Sequence, residues 1–196
     1  MTRRRLLQLA LSVALSVIVA AVGAAPTDPD IKIEHNGSVY SMRIELPVAA
    51  DPATVWQVLS DYDHLAGFLP NLRTSRIISA PGEPLRIEQR GETGFLFFTF
   101  SVDVELAIEE TPPLRLGFRA IRGNMRNMRG EWRIVRTDAG SRMEYESEME
   151  PDFWVPPLIG PAVVRRDVSN QVAGLVREIM RRQALVQSQP IPKPEK

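Results

Sequence analysis

From Phe98 to Ile108 the chain alternates between two kinds of side chain. Phe98, Phe100, Val102, Val104, Leu106 and Ile108 fall on one parity, while Thr99, Ser101, Asp103, Glu105 and Ala107 fall on the other. A period of two describes a strand with one apolar face and one wetted face. The pattern recurs near the C-terminus. Met143, Tyr145, Ser147 and Met149 alternate with Glu144, Glu146, Glu148 and Glu150. Strands solvated on one side belong to an antiparallel sheet. Such a sheet needs a cover for its apolar face, and the remaining segments must supply it.

The cover is legible after "PDFWVPP" (151–157), where the period changes to that of a helix. Val164, Val168, Val172, Leu175, Val176 and Ile179 form a stripe, with Arg165, Arg166, Asp167, Arg177 and Glu178 mostly off it. Pro161 suits a first turn, and the spacing predicts one long helix to about residue 186. Residues 187–196, "QSQPIPKPEK", read as a disordered tail.

Upstream, "IKIEHNGSVYSMRIELPV" alternates on both sides of Asn36-Gly37. That dipeptide predicts a hairpin with a type I′ turn, Tyr40, Met42, Ile44 and Leu46 sharing one face. Asp51 and Pro52 then signal a helix start, with Asp51 as its cap. Val55, Trp56 and Leu59 sit at helical spacing, and Ser60 with Asp63 marks a second short helix beginning near Asp61. Further strands are expected at 72–79, 85–91, 94–108, 114–121, 130–136 and 142–150. Breaks fall at Pro81-Gly82, Glu92 to Gly94, Pro112-Pro113, Gly123-Asn124 and Asp138 to Gly140.

The N-terminus has a different character. "MTRRRLLQLALSVALSVIVAAVGAA" opens with Arg3, Arg4 and Arg5, continues as an apolar run from Leu6 to Val22, and closes on small residues. This is the pattern of a secretory signal peptide over residues 1–24. An uncleaved membrane anchor is the alternative, since the run is near the lower length for a bilayer span. The organisation expected is then a signal at 1–24, a strand and hairpin turn at 25–37, one domain at 38–186 and the tail. The destination is the periplasm or the exterior.

Charge and composition narrow the function classes. Lys plus Arg and Asp plus Glu both number 24, which gives no support for nucleic-acid binding. Cysteine is absent, which excludes disulfides, thiolate nucleophiles and zinc–sulfur sites. His35 and His64 are the only histidines, too few for a multi-histidine metal site. No cofactor motif is present.

The order is therefore strand, two short helices, a run of antiparallel strands, and a long helix. With "VWQVLSDYDHLAGFLPNLRTSRII" (55–78) and "GEWRI" (130–134), it resembles the START-like, or helix-grip, superfamily. That superfamily includes the polyketide cyclase/dehydrase and lipid-transport proteins and the coenzyme Q-binding proteins. The resemblance implies an α+β fold in which a curved antiparallel sheet wraps a long C-terminal helix, with a cavity between them. Trp56, Phe68, Phe98, Phe100, Leu116, Phe118, Trp132, Tyr145, Val168 and Val172 are the expected cavity lining. By residue pattern alone, an aromatic stripe is more often the mark of a filled core than of a cavity wall.

Catalytic residues are not evident. Gln89, Ser147 and the Tyr145 hydroxyl fall on the inward parity without an acid–base pair. Asp61, Asp63 and His64 offer proton-transfer groups, but acids at a helix start are ordinarily there for the dipole. Arg115, Arg119 and Arg133 read as partners of strand glutamates such as Glu144 and Glu146. Arg122 and Arg126, placed in a turn, are candidates for an anionic headgroup. Phe153 and Trp154 are a candidate lid, a membrane-touching edge or a plug. The reading that follows is an exported protein that binds or carries a small hydrophobic ligand such as a lipid or quinone, with transient membrane contact. A cyclase- or hydrolase-like enzyme and a protein-interaction module are the alternatives.

A fusion of residues 1–30 to a reporter is expected to deliver it outside the cytoplasm, with the mature N-terminus of the native protein near Ala25. Recovery of a membrane-bound protein that still begins at Met1 would support the anchor instead.

Overall fold

In this computed structural model the described residues are 29–95, 98–155 and 160–188, with side-chain detail except at 93–95, 98 and 160. The expected signal segment and the end of the tail lie outside them, as does Pro156-Pro157. Eight strands form one antiparallel sheet: β1 (Asp30–Asn36), β2 (Val39–Val48), β3 (Leu72–Ile77), β4 (Arg86–Phe95), β5 (Phe98–Thr111), β6 (Arg115–Gly123), β7 (Met125–Thr137) and β8 (Gly140–Pro151). Their spatial order is β1-β2-β8-β7-β6-β5-β4-β3. Every pairing except β2–β8 joins consecutive strands, as in a meander. Helix α1 (Pro52–Leu59) and a short 3₁₀ turn (Tyr62–Gly67) follow β2, and α2 (Gly160–Ser188) closes the chain. This is the helix-grip architecture.

Parity decides which face each strand turns inward. Ile44, Leu46, Val104, Leu106, Leu116, Ile134 and Met143 join one buried core with Val172, Leu175 and Ile179 of α2. The opposite parity carries ion pairs on the wetted face, including Arg43–Glu146, Arg115–Glu131 and Arg142–Glu144. Exposed pairs of this kind each contribute about 0.2–1 kcal/mol, so they set solubility and register more than stability. Arg133 pairs with Glu131 within its own strand rather than with Glu144 or Glu146.

Several local expectations need correction. The hairpin loop is Gly37-Ser38, because Asn36 still pairs with Val39. Gly37 has φ +60° and Ser38 has no positive φ, the pattern of a type II′ turn, in which only the first central residue requires glycine. Glu92 to Gly94 do not break the chain. They continue β4, with Thr93 opposite Phe100 and Gly94 opposite Thr99. β7 starts at Met125, five residues before the expected start, so Arg126 is a strand residue bonded to Asp152.

The helix starts also differ from their signals. Asp51 makes no side-chain cap to α1. Its backbone N–H donates to Gln183 Oε1 at 3.0 Å, and Gln183 Nε2 donates to its carboxylate at 3.2 Å. Ser60 donates to the Trp56 carbonyl instead of capping the 3₁₀ turn. Asp61 receives Arg182, which also donates to Glu178. Burial alone would raise the Asp61 carboxyl, but hydrogen bonds from His64 and Arg182 together hold its pKa below the ordinary value. Glu178 is held at about 2, first by its hydrogen bond from Arg181, against the opposing effect of desolvation, and then by Arg182. The segment after β2 is thus tied to α2 by charge-assisted bonds.

Gly174 brings α2 close to the 3₁₀ turn. A Cβ there would stand 2.5 Å from the Phe68 carbonyl oxygen, so the contact admits no side chain.

Val172→Asp places a charge where the wild-type side chain is 5% exposed, and a buried unpaired charge costs several kcal/mol. Arg177 is exposed, so Arg177→Asp should change the denaturation midpoint far less. Equal losses in the two variants would contradict this orientation of α2.

Candidate ligand cavity

The sheet is too broad for one helix to cover in contact. The backbone of α2 comes closest to α1, β1 and β4, so it spans from one side of the curved sheet to the other. The strands between lie below it. A cavity of about 340 Å³ remains in that space.

Its wall is mostly apolar. Phe100, Val102, Val104, Leu106 and Ile108 enter from β5, Leu116 and Phe118 from β6, and Trp132 and Tyr145 from β7 and β8. Val168 and Val172 close it from α2. Tyr145 lies between two aromatic rings, with centroids 4.5 Å from Trp132 and 6.1 Å from Phe118. Gly130 makes room for the Phe118 ring, since a Cβ there would lie 2.7 Å from it. Such rings bring large apolar area with defined stacking geometry. Met42, Met125, Met128 and Met149 add adaptable surface.

The expected lining residues divide in a physically sensible way. Phe100, Leu116, Phe118, Trp132, Tyr145, Val168 and Val172 all meet the cavity. Trp56 does not. It lies on α1, half-buried against the outside of the core. Phe68 also lies off the cavity, its ring beneath the Arg182 guanidinium at 5.9 Å. Phe98 opens β5 opposite Phe95, and its side chain lies outside the described detail. Phe153 turns inward and stacks on Phe100 at 5.7 Å, whereas Trp154 is 70% exposed. The two candidate lid residues therefore face opposite ways.

Polar wall groups escape a search for apolar stripes. Tyr62 donates to Glu110 at 2.7 Å, and burial, reinforced by that carboxylate, raises its pKa. Burial likewise raises Tyr40 and Tyr145. Gln89 donates to Ser75 at 3.3 Å. Asn71, Asp167 and Gln171 also border the cavity, and Asn71 Nδ2 donates to Asp167 Oδ1 at 3.1 Å. Asp167 is thus on the cavity side of α2, not off the stripe. Helical phase is the signal for it: positions 164, 167, 168, 171, 172 and 175 fall on one face, and polarity conceals two of them.

The remaining proton-transfer candidates lie elsewhere. His64 is exposed and pairs with Asp61 at 2.6 Å, while Asp63 accepts the Ile77 N–H at 2.7 Å. Neither borders the cavity. Among the described residues no group of His, Cys, Asp and Glu is arranged to hold a metal ion. A larger depression of about 590 Å³ lies on the outer sheet face, walled by charges such as Lys32, Arg119, Arg129, Glu109 and Glu148. Its charge and openness to water suit it poorly to an apolar ligand.

A curved antiparallel sheet gripping a long helix over an apolar cavity defines a START-like protein. The sequence matches the family described as polyketide cyclase / dehydrase and lipid transport over residues 48–176, and the chain belongs to that family. Solved structures similar to it include the Zhui aromatase/cyclase from a Streptomyces species, with 17% identity, TM-score 0.58, and coverage of 74% of this chain and 95% of that one. A START superfamily protein from Mycobacterium smegmatis has 17% identity and TM-score 0.56, with 76% and 99% covered. A STAR-related lipid transfer protein from Xanthomonas axonopodis has 14% identity and TM-score 0.57, with 76% and 98% covered. At these identities the likeness is one of fold. No protein of curated function matches the sequence.

Proposed function

We propose that the protein is an exported carrier or receptor for a small hydrophobic molecule. The observation that carries this reading is the apolar cavity of about 340 Å³ beneath α2. Its size lies in the range of small-ligand sites, and its balance of apolar wall and few polar groups is the usual one. Binding would be driven by moving apolar ligand surface out of water, at about 25 cal/mol per Å² before association costs. The family description joins cyclases with lipid transport, and apolar cargo is common to both. Export rests on the basic-then-apolar pattern of residues 1–24. The exposed Trp154 beside the inward Phe153 supports brief contact with a membrane at the cavity entrance.

A cyclase- or hydrolase-like enzyme is the second reading, favoured by one observation: the Tyr145 hydroxyl stands at the cavity wall next to Ser147. Acid–base catalysis is most effective when the pKa approaches the working pH. Burial moves Tyr145 the other way, which keeps it protonated as a hydrogen-bond donor rather than a base.

Displacement of the neutral fluorescent probe phenylnaphthylamine separates the two readings. Phe100→Arg is expected to weaken probe binding by about tenfold or more, equivalent to ~1.4 kcal/mol, by filling volume and introducing a charge. Tyr145→Phe should leave binding nearly unchanged in a carrier. In an enzyme that uses the hydroxyl, it would lower turnover about 10²–10⁴-fold. Undiminished probe binding by Phe100→Arg would contradict the cavity site.

A further inference from the structure

The sheet beneath the cavity holds two hydroxyls that the fold leaves incompletely bonded. Tyr145 and Ser147 lie two residues apart on β8, so their side chains share the inner face. Ser147 Oγ is buried without a hydrogen-bond partner, the only such side-chain atom among the described residues. Burial raises the Tyr145 pKa, and Ser147, acting as a donor to its oxygen, opposes this more weakly. The two hydroxyls thus interact without reaching full hydrogen-bond geometry. Buried polar groups nearly always find a partner, so an unmet pair beside a cavity calls for a group that completes it.

The surroundings decide what that group is. On β2, Tyr145 faces Ile44 and Ser147 faces Met42. On β7, the same two residues face Trp132 and Gly130. None of these four side chains carries an acceptor oxygen, and Trp132 adds an N–H that only donates. Tyr145 borders the cavity, whereas Ser147 stands outside its wall. The phenol is therefore the group that a ligand meets, and burial keeps its proton in place.

We propose that the Tyr145 hydroxyl, backed by Ser147, donates a hydrogen bond to the ligand, and that the ligand is an otherwise apolar molecule bearing a ketone or ester carbonyl. The inference rests on the cavity being a ligand site. A carbonyl oxygen accepts and does not donate, so it suits a stretch of wall that supplies donors. A ligand hydroxyl in its place would bring a donor of its own, for which the four facing side chains have no oxygen. Ser147 can donate to the phenol oxygen while Tyr145 donates to the ligand, and bonds in such a chain strengthen one another. One ligand atom then completes both hydroxyls.

Benzophenone, diphenylmethane and benzhydrol share their phenyl rings and differ at the central carbon, which is a carbonyl, a methylene or a carbinol. Their displacement of phenylnaphthylamine from the full-length protein tests the inference. Tyr145→Phe is expected to lower the affinity for benzophenone about tenfold relative to diphenylmethane, and that for benzhydrol by less than about threefold. Infrared spectra of bound benzophenone, isotope-labelled at the carbonyl, read the bond directly. The carbonyl band should lie at lower frequency in the wild-type protein than in hexane, and should return towards the hexane position in Tyr145→Phe. Equal weakening of benzophenone and diphenylmethane, a loss for benzhydrol as large as that for benzophenone, or a wild-type band at the hexane position would overturn the carbonyl inference and leave the cavity reading standing. Binding of neither the three compounds nor phenylnaphthylamine by the wild-type protein would overturn both.

Discussion

A single helix has to cover the inner face of eight strands. Helix α2 spans 29 residues, about 44 Å at 1.5 Å per residue. Its length suffices to cross the sheet, but its width does not suffice to fill the sheet's curvature. It therefore rests on α1 and on strands at either side. Near its C-terminal half, Val172, Leu175 and Ile179 pack into the core. Towards its N-terminal half, Val163, Val164, Asp167 and Val168 face open volume. Val172 and Leu175 belong to both the core and the cavity wall, so stability and binding capacity overlap at mid-helix.

Polar contacts tie both ends of α2 to the rest of the fold. Arg182, Glu178, Asp61 and Gln183 tie the packed half of α2 to the segment after β2. With Gly174 set against the Phe68 carbonyl, this half is held by both backbone approach and charge. The other half is joined to the sheet side by the Asn71–Asp167 bond and by Arg165, which donates to the Ile31 carbonyl at 3.2 Å.

Much of the fold is written in periodicity. The alternation at 100–108 and 143–149 sorts the side chains between the two faces, because a strand has only two faces to choose between. The apolar stripe of α2 is equally direct. What periodicity does not encode is depth. Trp56 and Phe68 are aromatic and correctly assigned to the segment after β2, yet they pack outside the cavity because α1 and the 3₁₀ turn lie against its rim. Turn chemistry is ambiguous for a related reason. Asn36-Gly37 and Gly37-Ser38 are both plausible two-residue loops, and the pairing of Asn36 with Val39 decides between them. The polar end of the site is the least legible part. Asp167 and Gln171 are in phase with the stripe, but polar residues are ordinarily assigned to water, and Asn71 carries no motif at all.

The central claim is that the space beneath α2 exists to hold an apolar molecule. Native mass spectrometry of the protein purified from its own compartment tests it most directly. The account predicts a population heavier than the mature chain by the mass of a small molecule, released on extraction with organic solvent. A spectrum containing only the bare chain, with no heavier species after incubation with apolar compounds, would contradict it.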